Sequence, residues 1–492
     1  MPQNQSEIRP PRSQVDLIDG VWQTPMTQLG TLADPNTGSP LQPQLATSAT
    51  DVERALEAAD ALHRSGLLAE ASLELRVTVL QDIAAGLTLR ASDLAYEDAM
   101  STGNAIRVSQ KMASYIGPRV LGSAAQLRSI GERDVLDEER GVQLLRRPLG
   151  PAVVLAPWNA PTFVAVAKLS SALAAGCPVI LKPSEWAPGG CQIVAEVIND
   201  VLRSHDLPAA TFQLVHGAAA VGSQLASDPR VRAISFTGGA PAGRAVAAAA
   251  APHFTALQLE LGGHNPAIVL DDADIELTAA ALIDGMTKLN GQWCEAPGKV
   301  LVSEAKYDEL VDALMRRLAD LTVGHCLDEG TDVGPLAYEL HRTRLENEVD
   351  RLVAAGGERL TPCRLPALDG WFFAPSIIVG VPAEVSTREL FGPVISVHSV
   401  PSVAAALAAA DGPETGLAGF VFGQDTAAAL KVAAKIPVGE VRVNGCKLAD
   451  LADGSEQTFW NNAGIGGHGP TDMVRFFQGR RTIGVDDPSL PI

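Results

Sequence analysis

This sequence of 492 residues has no excess of basic charge, no paired cysteines, no apolar leader and no apolar run long enough to cross a membrane. Lys and Arg together number 38 against 57 Asp and Glu, a formal net charge of −19. Binding to nucleic acid needs a basic surface for the phosphates, so that role is excluded as the default. The balance still permits a locally basic pocket for a phosphate-bearing cofactor. The six cysteines, Cys177, Cys191, Cys294, Cys326, Cys363 and Cys446, form no CxxC pair and no zinc-ligand spacing. Neither a disulfide framework nor a metal site is expected, and a reducing cytoplasm fits this usage. The opening MPQNQSEIRPPRSQ lacks an apolar core, so no secretory leader is read. An uncharged run over 150–167 is cut by Pro151, Pro157, Asn159 and Pro161. It reads as strand, loop and helix start, not as a span.

With 46% apolar residues the chain can bury large cores, and its length implies two or three domains. The first stretch, about 45 residues, is polar and Pro-rich and predicts an arm on the surface. Leu73, Val77, Leu80, Ile83 and Leu87 then fall on one helical face. From Gly150 short apolar runs (152–156, 179–181, 212–215, 233–236) alternate with helical stretches (163–175, 187–203, 219–226). Fully apolar strands with helical crossovers predict an α/β fold whose parallel sheet is covered on both faces. Such sheets bind ligands beyond the carboxyl ends of their strands. A second αβ series starts near Pro266 and runs to about Val443. Between the early helices and the first sheet, GVQLLRRP (141–148) reads as an edge strand or a subunit-contact ribbon.

Several residues suit chemistry, and each has a plainer explanation. Cys294, in NGQWCEAPGK, suits a nucleophile, with Gly291 admitting the substrate; most lone cysteines are simply small buried apolar residues. Glu260 ends LQLE before two glycines and suits a general base, or a surface ion pair. Asn159, rigid in APWNAP, suits an oxyanion donor, or an ordinary turn. Lys182 and Glu185, in LKPSE, suit a ribose and phosphate contact, or a charged loop. Phe236, Thr237, Gly238 and Gly239 make a Gly-rich strand-to-helix turn suited to a pyrophosphate, although the pattern is not GxGxxG.

Taken in order, PWNAP (157–161), KPSE (182–185), FTGG (236–239), LELGG (259–263), GQWC (291–294), ELFGPV (389–394) and the Gly-rich tail 464–469 resemble the aldehyde dehydrogenase superfamily. The resemblance implies a Rossmann-like cofactor domain (1–127 and 149–261), an α/β catalytic domain (262–460) and a small β bridging or oligomerisation element (128–148 and 461–492). It implies oxidation of an aldehyde to the acid through a thiohemiacetal and thioester on Cys294. Asn159 would hold the oxyanion, and Glu260 would activate the hydrolytic water. NAD is favoured because Glu185 would repel a 2′-phosphate, and NADP stays open. Cofactor contacts are implied at Pro157, Trp158, Lys182, Ser184, Glu185, Phe236, Thr237, Gly238, Gly239, Leu261, Gly262, Glu389 and Phe391.

The expected substrate pocket comprises Ala160, Phe163, Val164, Trp293, Glu295, Phe459 and Trp460. No arginine stands at these positions, so an aromatic, bulky or cationic aldehyde is expected over an anionic semialdehyde. Where relatives often carry Lys, an acid and Glu, this chain has His264, Arg388 and His468. His468 is a candidate proton relay. Glu295, if close to the thiol, would raise its pKa. The expected partners are a small aldehyde and a second copy of the chain, as homodimer or homotetramer, with no nucleic acid and no membrane. Competing readings are a coenzyme A-acylating dehydrogenase, which would usually lack Glu260, and a non-catalytic binding or structural protein.

Overall fold

The four predicted apolar runs, with one more strand after them, form the parallel centre of one sheet in the computed structural model, which describes residues 9–489. Across the sheet the strands are Phe212–Leu214, Val179–Lys182, Ala152–Leu155, Ala233–Gly238 and Ala256–Leu261. In chain order this is 3-2-1-4-5, so the order reverses between Ala152–Leu155 and Ala233–Gly238. A crevice opens beyond the carboxyl ends at such a reversal, because the crossover helices leave towards opposite faces. Both faces of the sheet are packed. Val154, Leu181 and Leu214 belong to one core, and Val153, Ile180 and Ile234 to the other.

The expected surface arm is corrected by the structure. Asp16–Ile18 pairs antiparallel with Phe212–Leu214 and extends the sheet, and Leu17 and Ile18 are each 1% exposed. Thr27–Ala33 and Pro40–Ala46 form a further hairpin. The polar composition concealed this because the strand is only three residues long. Its Asp16 is buried, accepting from the Thr47 hydroxyl at 2.7 Å and the His216 N–H at 3.2 Å. Residues 1–8 of the arm lie outside the described residues.

The second sheet runs Glu358–Leu360, Ser376–Val379, Val394–Val400, Pro297–Ser303, Asn265–Val269, Ala418–Phe422, Glu440–Val443. All neighbours are parallel except the first pair. Ala267 and Val269 face one core while Ile268 faces another, as the two-residue period of a strand requires. A third, antiparallel sheet joins Arg133–Asp137, Val142–Pro148 and Gln478–Ile483, so the predicted ribbon is its central strand. Gly464–Ile465 departs from that sheet and caps the edge of the first one beside Glu260. Among the described residues, no helix is long and apolar enough to cross a membrane.

Candidate active site

One cavity of about 2480 Å³ lies between the two parallel sheets. Cys294, Glu260 and Asn159 all line it, having come from three separate segments.

The helix Ile275–Thr287 ends in a tight turn in which Leu289 and Asn290 take left-handed backbone at φ +50° and +56°. Asn290 donates to the carbonyls of Gly103 at 2.7 Å and Pro335 at 2.9 Å, and accepts from the Gly334 N–H at 2.9 Å. Gln292 donates to the Thr102 carbonyl at 3.1 Å and accepts from Ala337 N–H at 2.9 Å. These buried bonds fix the turn that presents the cysteine. Gly291 is required for a different reason from the one expected. A Cβ there would lie 2.0 Å from the Gly392 carbonyl carbon, and φ is +75°. The glycine admits the backbone of the ELFGPV segment.

Past the turn, Asn265 carries the load. Its Nδ2 donates to the carbonyls of both Cys294 and Ala296 at 2.8 Å, and its Oδ1 accepts from Ala418 N–H at 3.1 Å. Sequence reasoning passed over Asn265. The available signal was an amide two residues after LELGG, at the start of a strand.

Cys294 Sγ lies 3.5 Å from Glu260 Oε1 and donates to it. Burial, then the charges of Glu260, Glu295 and Glu389, push the thiol well above its ordinary pKa. The thiol therefore needs a base, and the nearest carboxylate is the one it touches. Glu260 Oε2 accepts from the Thr237 hydroxyl at 3.1 Å and from His468 Nε2 at 3.0 Å. Burial works to raise the Glu260 pKa, but His468, Lys168 and Thr237 outweigh it and hold the group below the usual range. Burial and the Lys168 ammonium push His468 down in turn, so at neutral pH a neutral imidazole donates Nε2–H to a carboxylate. Lys168 is itself buried, donating to Gln258 Oε1 at 3.0 Å, and burial brings its pKa down to about 8. It sits within the helix Pro161–Ala175, where nothing in the sequence set it apart.

Asn159 is buried and donates one amide N–H to the Gln292 carbonyl at 2.7 Å, which leaves its second N–H for a ligand. Ala160, Val164, Trp293 and Cys294 pack into one apolar cluster, and these line the cavity together with Phe163 and Glu295. Phe459 and Trp460 do not line it. Phe459 is buried behind Cys294 with its ring against His468, at 5.0 Å between centroids. Trp460 is 46% exposed and donates to the Thr458 hydroxyl. Consecutive extended residues point to opposite sides, so Phe459 turns inward and Trp460 outward. An arginine outside the expected set, Arg442, does line the cavity, brought there by Glu440–Val443.

The remaining expected residues line the other branch of the cavity, at the crevice of the first sheet. Lys182 is buried, its ammonium bonded to the carbonyls of Pro183 and Gly217 and 4.0 Å from Glu185. Ser184 Oγ accepts from Trp186 N–H at 3.3 Å and donates to Glu185 at 3.4 Å. Gly239 caps the helix Ala240–Ala250, and a Cβ on it would meet nothing closer than 3.8 Å, so the helix end faces open space. Gly238 is needed because a Cβ would lie 2.6 Å from the Phe236 ring. Thr237 lines this branch as well, and its hydroxyl donates to Glu260. Trp158 touches Phe391, His341 and Tyr338, and Trp186 stacks on Tyr338 at 4.2 Å. Leu261 and Gly262 follow Glu260, and a Cβ at Gly262 would lie 2.1 Å from Glu389 Oε2. Pro157 completes this wall. Burial raises Glu389 to about 8, against the Arg344 charge and the Gly263 N–H at 3.2 Å. Of the departures, Arg388 pairs with Glu348 at 2.9 Å, and buried His264 bonds Ser386 at 3.0 Å.

The chain is similar to known proteins over most of its length. A profile described as "Aldehyde dehydrogenase family" matches residues 22–483. A putative aldehyde dehydrogenase of Staphylococcus epidermidis is 33% identical over 406 residues, 80% of this chain and 82% of that protein. The crystal structure of betaine aldehyde dehydrogenase from Staphylococcus aureus, in complex with NAD+, superposes with a TM-score of 0.90. It is 28% identical, covering 97% of this chain and 96% of the other. A mutant of aldehyde dehydrogenase C from Pseudomonas syringae, with NAD+ and octanal, gives a TM-score of 0.88 at 27% identity, covering 97% and 98%.

Proposed function

The chain belongs to the aldehyde dehydrogenase family, and from that premise we propose that it converts an aldehyde, NAD+ and water into a carboxylic acid, NADH and a proton through an acylated Cys294. The observation that carries the covalent route is the 3.5 Å contact between Cys294 Sγ and Glu260 Oε1, with the spare Asn159 N–H in the same cavity.

Glu260 takes the thiol proton, and Sγ bonds to the carbonyl carbon. The carbonyl oxygen gains the electron pair and is received by Asn159 Nδ2 and the Cys294 N–H. A dinucleotide held in the crevice by Lys182, Glu185, Glu389 and Phe391 would supply the hydride acceptor for this adduct. Once Glu260 has released the thiol proton to solvent, it removes a proton from the water that attacks the thioester, and Sγ leaves as the thiolate. A carboxylate already ionised by three neighbours suits this second step, which argues for hydrolysis over transfer to coenzyme A.

The crevice fits a dinucleotide. Its Gly239 helix end is open, and a Cβ at Gly222 would meet only Lys182 Cε, at 3.6 Å. Lys182 and Glu185 would hold the adenosine ribose, and Glu389 and Phe391 the nicotinamide side. The Glu185 carboxylate disfavours a 2′-phosphate, so NAD is the preferred cofactor and NADP the weaker one. We assign cofactor binding to 1–127 and 149–261, catalysis to 262–460 and bridging to 128–148 and 461–492, of which 1–8 and 490–492 lie outside the described residues. The edge strand Arg133–Asp137, with exposed Val135 and Leu136, supports a homodimer or homotetramer. Six free cysteines support a cytoplasmic setting.

NADH absorbance with purified protein and an aldehyde panel tests this reading. Activity should appear with NAD+ and disappear in Cys294→Ala. In Glu260→Gln an acyl-enzyme should accumulate, visible as a mass increase. Unchanged oxidation in Cys294→Ala would overturn the proposal.

A further inference from the structure

Charges on the wall beside the nucleophile do not balance. Glu295 follows Cys294 and lines the cavity. Its Oε1 accepts from the neutral Gln457 amide at 2.9 Å, and its Oε2 has no hydrogen-bond partner among the described residues. Glu440 lines the same wall and pairs with Arg442 at 2.6 Å. The other end of that guanidinium donates to the Ala449 carbonyl at 2.7 Å. Two carboxyls thus share one cation. Buried carboxylates normally have a charged partner, and here one is missing. Farther out, Lys288 and Lys447 meet Asp284 and Arg107 meets Asp332, while Lys111 and Arg119 lie over the rings of Tyr115 and Phe163. Asp450 and Asp453, exposed at the rim of the same cavity, have no basic partner among the described residues.

Resting on the aldehyde oxidation argued above, we propose that Glu295 is the counter-ion for a cationic group on the substrate, so that the preferred aldehyde carries an ammonium. Arg442 does not make the site anionophilic, because Glu440 and Ala449 already hold it. A substrate carboxylate beside Glu295 would meet a second negative charge. An ammonium supplies the missing charge. It also relieves the repulsion that Glu295 exerts on the neighbouring thiol, so substrate binding itself favours the nucleophile. Asp450 and Asp453 raise the local concentration of a cation at the entrance.

Isosteric pairs isolate the charge. We would measure kcat/KM for trimethylammonio-acetaldehyde against 3,3-dimethylbutanal, and for 3-aminopropanal against butanal, in wild type and Glu295→Gln. The expected wild-type preference is about tenfold or more for at least one cation, falling about tenfold in the variant. The first pair winning alone indicates a quaternary ammonium, the second a primary one. A wild-type ratio at or below one, or a ratio untouched by Glu295→Gln, overturns the assignment. Should that variant fail to fold, wild type alone decides: choline must inhibit competitively more strongly than 3,3-dimethylbutanol, and equal inhibition overturns the proposal. Oxidation of the neutral aldehydes without cation preference defeats only this inference. No NADH from any of the four, nor from a wider panel, defeats the dehydrogenase reading itself.

Discussion

Asn265 Nδ2 grips the carbonyl of Cys294 at 2.8 Å while the same amide is anchored to Ala418 in the neighbouring strand. The nucleophile's position is thereby tied to the second sheet, not to its own loop. Replacing Asn265 with Ala strands two buried carbonyls and one N–H, each costing about 1–3 kcal/mol if left unpaired. Denaturant unfolding of Asn265→Ala should show a loss of that order. Its kcat should fall at least about tenfold, since small displacements of a nucleophile are costly. Wild-type kcat with only lowered stability would deny Asn265 its positioning role.

The second prediction concerns pH. Glu260 faces His468, Lys168 and Thr237, whose combined effect holds its pKa below the ordinary value. For a depressed carboxyl, the stabilisation is present above the unfolded pKa and is lost as pH falls through the folded one. Glu260 should therefore stay ionised through mildly acidic pH, and hydrolysis should retain its base there. In His468→Gln one contributor is gone while burial still raises the pKa. The acid limb of the kcat profile should move to higher pH, with activity near pH 5.5 falling severalfold relative to pH 8. Superimposable profiles in the two proteins would remove His468 from the proton economy of the site.

Glu295 gives a prediction of opposite sign. Burial, then Glu440, raises it to about 7. A carboxyl raised on folding loses stability as pH climbs from its unfolded pKa towards the folded one. Without a cationic ligand, Glu295→Gln should be more stable than wild type at pH 8, by up to about 3 kcal/mol. The gap should close as pH drops below 5. Thermal or urea unfolding at the two pH values checks this, and a pH-independent difference would count against it.

Legibility of the sequence varied with physical scale. The strand Ala152–Leu155 announced itself because both its faces are buried, which leaves an uninterrupted apolar run. The helix Leu73–Leu89 showed its periodicity because only one face is buried. Asp16–Ile18 escaped because three residues carry too little pattern, and their partner strand lies nearly 200 residues away. Trp460 was misplaced because neighbours in sequence do not share a direction. Lys168 stood out in no pattern, since its role depends on Gln258 and Glu260, which come from another strand.

By itself the sequence determined the α/β class, the glycine-rich turns, and a cysteine, a carboxylate and an amide in the order the family uses. These follow from local rules: burial period, turn geometry and the chemistry of single side chains. Only the tertiary structure decided that Cys294 touches Glu260, that Thr237 serves that carboxylate, that Asn265 holds the loop, and that Glu295 has no ion-pair partner among the described residues. Contact distance, burial and charge balance are properties of groups brought together from separate strands, and no linear pattern encodes them.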